Sequence, residues 1–273
     1  MSAGTATAPW TLRRRRAEEL RARHAFAEEL LDLYLALLAV QEQVWRTAPA
    51  PAELVRWAAA NVVPAVVEAT EVAGPPALRE AVGGRDVGED VLRGWLAGAA
   101  LDPVDRYVAR ASLAPALEAL GDQAGEACAV AADEEAAATC PRCAGPPQLS
   151  VVADTGEALV SGRRSLHCAR CASSWDYSRS TCPACGESDE DRLLVYSEQW
   201  GGPVSANGNG ARPPVFPHLR VVGCETCRRY LIEVDMARDG RAVPEVDELV
   251  ALPLDLYAAD QGLTKVTPNL MGF

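Results

Sequence analysis

Aromatic side chains, histidine, positive charge and long apolar runs are all scarce in this chain. Aromatics make up 5% of the 273 residues, so a core must come from the Ala, Leu and Val that dominate the 49% apolar share, a mixture that favours helices. No stretch approaches the roughly 20 apolar residues that cross a bilayer, so no membrane span is expected. The three histidines, His24, His167 and His218, are scattered. His167 precedes Cys168 and could replace a sulfur ligand, but a surface or supporting role is expected. Acidic residues outnumber basic ones, 38 to 26, for a formal charge of −12. That balance counts every thiol as neutral, so thiolates holding divalent ions would make it more negative. Such a chain repels phosphate backbones, and no local basic patch offsets it, so nucleic acid is not an expected partner.

Cysteine, by contrast, is concentrated. Eight of the nine form four Cys-x-x-Cys pairs, Cys140/Cys143, Cys168/Cys171, Cys182/Cys185 and Cys224/Cys227. Two cysteines three positions apart can aim both sulfurs at one ion from a tight turn, and two such turns complete a tetrahedral thiolate shell. Four turns supply two shells with no sulfur left over. The ninth, Cys128, lies in an alanine-rich run without a partner at ligand spacing and is expected to be a small core residue.

Residues 1–138 read as an all-α domain of five to seven helices. Apolar residues recur at helical spacing from Leu20 to Trp45, predicting one long helix. Pro49 and Pro51 end it, Ala52 to Val63 predicts a second, and Pro64 can open or kink a third. Val87 to Ala100 and Pro103 to Leu120 are further helical stretches, the latter capped by Asp102 and kinked at Pro115. The run Arg13 to Arg16 resembles a twin-arginine export signal only superficially, because a charged amphipathic stretch follows it; it reads as a solvated basic tail.

Beyond Thr139 the pattern changes to short β-prone runs, arranged as a repeat of turn, strand, strand, turn, strand. The first unit has strands near Leu149 to Ala153, up to Leu166, and Trp175 to Tyr177, with a turn at Asp154 to Gly156. The second has strands Leu193 to Trp200, Leu219 to Val222 and Tyr230 to Val234, with a Gly/Pro/Asn-rich insertion from Gly201 to Pro217 at its tip. Of the three ways to combine four turns, the repeat favours sequential pairing: site 1 of Cys140/Cys143/Cys168/Cys171 and site 2 of Cys182/Cys185/Cys224/Cys227. Small β-modules rarely bury enough apolar surface to fold alone, so little core apart from the metals is expected here. Four protein thiolates leave no open position for activating water, so the ion is either structural or an iron that changes oxidation state without changing ligands. Iron and zinc both suit the donor set. Gly186 follows the second cysteine of its turn, as amide donation to the sulfurs prefers, whereas Ala144, Ala172 and Arg228 stand there in the other turns, which predicts strain or a different shape.

The stretch Leu166 to Trp175, Leu-His-Cys-Ala-Arg-Cys-Ala-Ser-Ser-Trp, followed by Ser180 to Gly186, resembles the formate dehydrogenase accessory (formation) protein family, FdhE. Cys224 to Leu231 is similar to that family's last cysteine turn, Val246 to Gly262 to its C-terminal helix, and Pro268-Asn269-Leu270 to its ending. The resemblance implies an α+β protein. Its parts are a helical domain (1–138), two tandem rubredoxin-like or zinc-ribbon modules (139–179 and 180–238), and a C-terminal helical tail (239–273) packing on the rest. It implies that the eight cysteines of the four pairs are metal ligands and that the protein has no enzyme activity of its own. The implied role is assembly of formate dehydrogenase through binding of its catalytic subunit in the cytoplasm, a compartment that also suits reduced thiols. A rubredoxin-like electron carrier or thiol oxidoreductase is the alternative, a nucleic-acid-binding zinc ribbon a remote one, and a homodimer is left open. In the tail, Leu249, Leu252, Leu256 and Tyr257 are expected to form one packing face, with Pro253 dividing the helix. Trp175 and Tyr177 are expected to shield a metal site from water.

Overall fold

The structure is a computed structural model, and it describes residues 8–128, 138–153, 162–199 and 214–272. The expected turn at Asp154 to Gly156 and most of the insertion, residues 201–213, lie outside the described residues. Helices fill the N-terminal half: α1 (Ala8–Arg23), α2 (Glu28–Thr47), α3 (Leu54–Asn61), α4 (Val63–Ala73), α5 (Pro76–Val82), α6 (Glu89–Leu96), α7 (Pro103–Leu120) and α8 (Ala124–Cys128). That is more than the five to seven expected. The predicted long helix from Leu20 divides at His24 and a 3-10 turn, Ala25–Ala27. Charge explains the break: Arg21 and Arg23 close α1 and Glu28 and Glu29 open α2, each sign at the helix end whose dipole it complements. Asp102 caps α7 as expected, its Oδ1 accepting from Val104 N at 2.9 Å.

α2 is the shared wall of the molecule. Leu33, Leu37 and Val44 on one side join Leu54, Val66, Leu92, Leu113 and Leu117 in a helical core. Leu31, Tyr34 and Leu38, on the neighbouring side, join Trp10 and Leu20 of α1 in a second core, shared with the sheet.

The sheet contains β1 (Pro147–Ala153), β2 (Arg163–Cys168), β3 (Ser174–Asp176), β4 (Leu193–Ser197), β5 (Leu219–Cys224), β6 (Arg229–Asp235) and β7 (Thr264–Lys265). Each ribbon is antiparallel within itself, β1–β2–β3 and β4–β5–β6. The two are joined edge to edge by parallel pairing of β1 with β6, Val151 opposite Val234, giving the order β3-β2-β1-β6-β5-β4 with β7 beside β6.

This joined sheet corrects the expectation of little core apart from the metals. Leu219, Val221, Ile232 and Val234 are buried against Leu31 and Leu38 of α2 and against Val246 and Val250 of the tail. Removing that apolar surface from water stabilises the fold by about 25 cal/mol per Å², independently of any ion.

The tail is divided as Pro253 predicts, into α9 (Pro244–Asp247), a 3-10 turn and α10 (Leu252–Asp260). Its expected packing face is only half present: Leu249 is buried, whereas Leu256 and Tyr257 are 58% and 45% exposed. The break at residues 248–251 changes the helical phase, so positions 249 and 256 no longer share a face.

The N-terminal arginines are likewise not a solvated tail. Arg13 and Arg16 are buried in α1. Arg13 pairs with Glu118 of α7 and Glu245 of α9. Arg16 donates to Asp239 at 3.0 Å and to both oxygens of Asp247, which also meets His218 Nε2 at 2.8 Å. Arg14, on another side of the helix, is partly exposed.

Candidate metal centres

Each Cys-x-x-Cys pair sits in the same backbone turn. The first cysteine's N–H donates to a carbonyl five residues on, as in Cys140 to Gly145 at 2.9 Å, Cys168 to Ser173 at 2.9 Å and Cys182 to Glu187 at 2.8 Å. The residue after the second cysteine donates back to the first cysteine's carbonyl at Ala144, Gly186 and Arg228, at 2.8–2.9 Å. This closure requires a left-handed conformation, and all four positions have it: φ is 51° at Ala144, 56° at Ala172, 76° at Gly186 and 58° at Arg228. The turns that lack glycine are therefore not differently shaped. They adopt the same shape against the Cβ penalty, roughly 1–2 kcal/mol for an L-residue. Backbone N–H groups reach the sulfurs inside the turns, Arg170 N to Cys168 Sγ at 3.3 Å and Ala184 N to Cys182 Sγ at 3.4 Å.

The fold brings the eight sulfurs into two groups, Cys140/Cys143/Cys168/Cys171 and Cys182/Cys185/Cys224/Cys227, each with all four ligand atoms within 4.8 Å of one another. Sulfurs across facing turns are 3.6 Å (Cys140 to Cys171) and 3.5 Å (Cys143 to Cys168) apart in the first group. In the second, Cys182 to Cys227 and Cys185 to Cys224 are both 3.8 Å. A tetrahedron with metal–sulfur bonds of about 2.3 Å has edges of roughly 3.8 Å, so both groups fit a thiolate-bound ion. The donor set agrees. Like charges this close repel, so a fully deprotonated set of four sulfurs is stabilised by a cation at its centre.

The two centres differ in surroundings. All four cysteines of the first are buried and belong to the helical core. Ser173 Oγ lies 3.0 Å from Cys140 Sγ and 3.2 Å from Cys171 Sγ, and its hydroxyl can donate to either. Trp175 packs at the edge of that core, while Tyr177 spans to the second centre, donating to Cys182 O at 3.3 Å. In the second centre Cys224 and Cys182 are buried, Cys227 is half-buried and Cys185 is exposed. Its two turns are tied by Thr226 Oγ1 donating to Glu187 at 2.6 Å, which holds that carboxyl below its ordinary range.

His167 takes no place in either group and meets Ser174 Oγ at 3.2 Å. His24 stacks on Phe216 with ring centroids 4.8 Å apart. Cys128 is buried, as expected of a core residue, but its thiol borders the first centre, where Cys143 and Arg170 hold it below the ordinary thiol range. Neither Ser173 nor Cys128 carries a spacing signal. Ser173 is marked only by being a hydroxyl two residues past a cysteine pair, and Cys128 reaches the centre through the packing of α8.

A family model described as "FdhE, central domain" matches residues 139–179, which contain the first centre. A curated "Protein FdhE homolog" of Aquifex aeolicus (strain VF5) is 31% identical over 134 residues, 49% of this chain and 41% of that protein. The one from Pseudomonas aeruginosa is 30% identical over 139 residues, 51% of this chain and 41% of that protein. The matched stretch thus spans about two fifths of these relatives' length. The crystal structure of the FdhE protein from Pseudomonas aeruginosa superposes with a TM-score of 0.68 at 21% identity, over 99% of this chain and 97% of the other, so the two share a fold. Residues 139–179 thus match the FdhE central domain, and about half of this chain is similar to curated FdhE homologues at 30–31% identity.

Proposed function

We propose that this protein is an assembly factor for formate dehydrogenase that acts in the cytoplasm by binding the enzyme's catalytic subunit, and that its eight paired cysteines ligate two ions. The observation that carries the reading is the conjunction of the FdhE central-domain match with two groups of four cysteines built from the same turn. Four protein sulfurs fill a tetrahedral shell, which argues for an ion that holds a surface in shape and against one that turns over substrate.

A contact role also has a surface available. Phe26, Val195, Val215 and Tyr257, all large and exposed, border one groove between β4, the tail and the segment before β5. β4 is the last strand of the sheet on that side among the described residues. Contiguous exposed apolar area of this kind is characteristic of protein contact sites.

The test is co-purification of the full chain with the catalytic subunit of formate dehydrogenase, with metal analysis of the same sample. Stoichiometric capture together with about two ions per chain is the expected result. Two bound ions without capture would overturn the assembly role. The exposed Cys185 favours electron exchange as a second reading. A visible band that bleaches on reduction would support it, and a colourless two-zinc protein would end it.

A further inference from the structure

A cavity of about 250 Å³ lies between α6, α7, the second turn of the first ribbon and the C-terminal segment from Thr267 to Gly272. Among the described residues three arginines line it and no acidic side chain does: Arg106 and Arg110, one turn apart on α7, and Arg170 from between Cys168 and Cys171; Arg110 and Arg170 also border a smaller neighbouring cavity lined by Glu118, Glu245 and Glu248. In a chain with 38 acidic residues against 26 basic ones this is unusual, and none of the three has an ion-pair partner among the described residues.

Hydrogen bonding around the cavity is incomplete at Arg170 and Thr267. Arg110 Nη1 donates to Pro268 O at 2.8 Å. Arg170 is 7% exposed, its guanidinium lies 5.8 Å from the Trp95 ring centroid, and its Nη1 is buried with no hydrogen-bond partner. Thr267 Oγ1, also on the cavity wall, is buried and unpartnered as well. A buried donor left unmade costs about 1–3 kcal/mol, more for a charged group, so Arg170 and Thr267 together describe half of an interaction. The remaining wall is largely apolar, with Trp95, Tyr107 and Leu270.

The geometry points to an oxyanion-binding site: the cavity takes a small organic anion, a carboxylate or phosphate monoester, whose charged head meets Arg106, Arg110 and Arg170 and whose apolar body lies against Trp95 and Tyr107. Guanidinium forks match both head groups bidentately. The volume suits a ligand with one ring or a short chain, below the range of roughly 300–1,000 Å³ typical of drug-sized sites. A competing account is that these charges are already balanced, Arg110 by Glu248 and Cys168 and Arg170 by Cys128 beside the first centre.

The test uses the full chain saturated with zinc, titrated calorimetrically with benzoate, phenyl phosphate and neutral benzamide. Saturable binding of at least one anion is expected, with benzamide at least tenfold weaker; the tighter anion identifies the head group. Arg106→Gln, at a partly exposed position, should weaken anion binding about tenfold with metal content unchanged, and Arg110→Lys should weaken it less than Arg110→Gln. Absence of saturable anion binding, equal binding of benzamide, or an unchanged affinity in Arg106→Gln would overturn the assignment. The wild-type comparison of charged and neutral ligands decides the matter even if a variant fails to fold.

Discussion

Arg16 of the first helix and Asp247 of the tail form a buried ion pair across 231 positions of sequence, with Nε 3.0 Å from Oδ2 and side-chain exposures of 3% and 0%. Removing the guanidinium leaves Asp247 with His218 and the Val243 N–H as its remaining partners. Arg16→Ala should therefore cost about 3–5 kcal/mol, the range for breaking a buried pair from one side. Arg14→Ala, whose side chain is 39% exposed, should cost under about 1 kcal/mol. Denaturant unfolding of the two variants at fixed metal concentration checks this; equal losses would remove the buried pair from the account.

Acid sensitivity should centre on the neighbouring pair. Burial by itself would push the Glu245 carboxyl up, but Arg13, 2.6 Å away, outweighs it and the carboxyl is held below its ordinary 4.5. A depressed folded value means stability that is present above the unfolded value and lost as pH falls through the folded one. The stability difference between wild type and Glu245→Gln should be constant near neutrality and shrink below about pH 4.5. A difference that grows in acid would contradict the sign.

Three of the four cysteine turns hold a left-handed residue other than glycine. Ala144→Gly and Ala172→Gly relieve the Cβ clash at a cost in unfolded-state entropy, leaving a net gain of about 0.5–1 kcal/mol each. Gly186→Ala should lose a similar amount. Thermal melts of the zinc-saturated proteins report the order, and destabilised Ala→Gly variants would show that the turn geometry is otherwise held.

Metal release should be biphasic. The second centre, with Cys185 exposed and Cys227 half-buried, should yield its ion to a chelator before the first, whose sulfurs are all buried. Cys185→Ser should remove the fast phase and one equivalent of metal. Cys168→Ser should cost more stability, because that sulfur is part of the helical core. A single phase, or a slow phase lost in Cys185→Ser, would reverse the assignment of the two sites.

The two cysteine groups were the most legible part of the chain, because spacing alone puts two sulfurs of Cys140/Cys143 on one turn. The helical half was legible in outline through the periodicity of residues such as Leu31, Leu38 and Leu113. The break at His24 was written in charge, with Arg21 and Arg23 before it and Glu28 and Glu29 after, and apolar periodicity passes over such a signal.

The amino-acid order by itself thus determined what depends on near neighbours: the four cysteine turns, the helix stretches, the Asp102 cap and the division of the tail at Pro253. Tertiary structure alone decided that Val151 would lie beside Val234 and merge two ribbons into one sheet, and that Arg13 and Arg16 would be buried. It also set Arg170 beside Trp95 on a wall that holds no acidic side chain among the described residues. Turns and helices are fixed by covalent geometry over a few residues. Burial and pairing between distant segments depend on which surfaces meet once the chain has closed, and no local pattern carries that information.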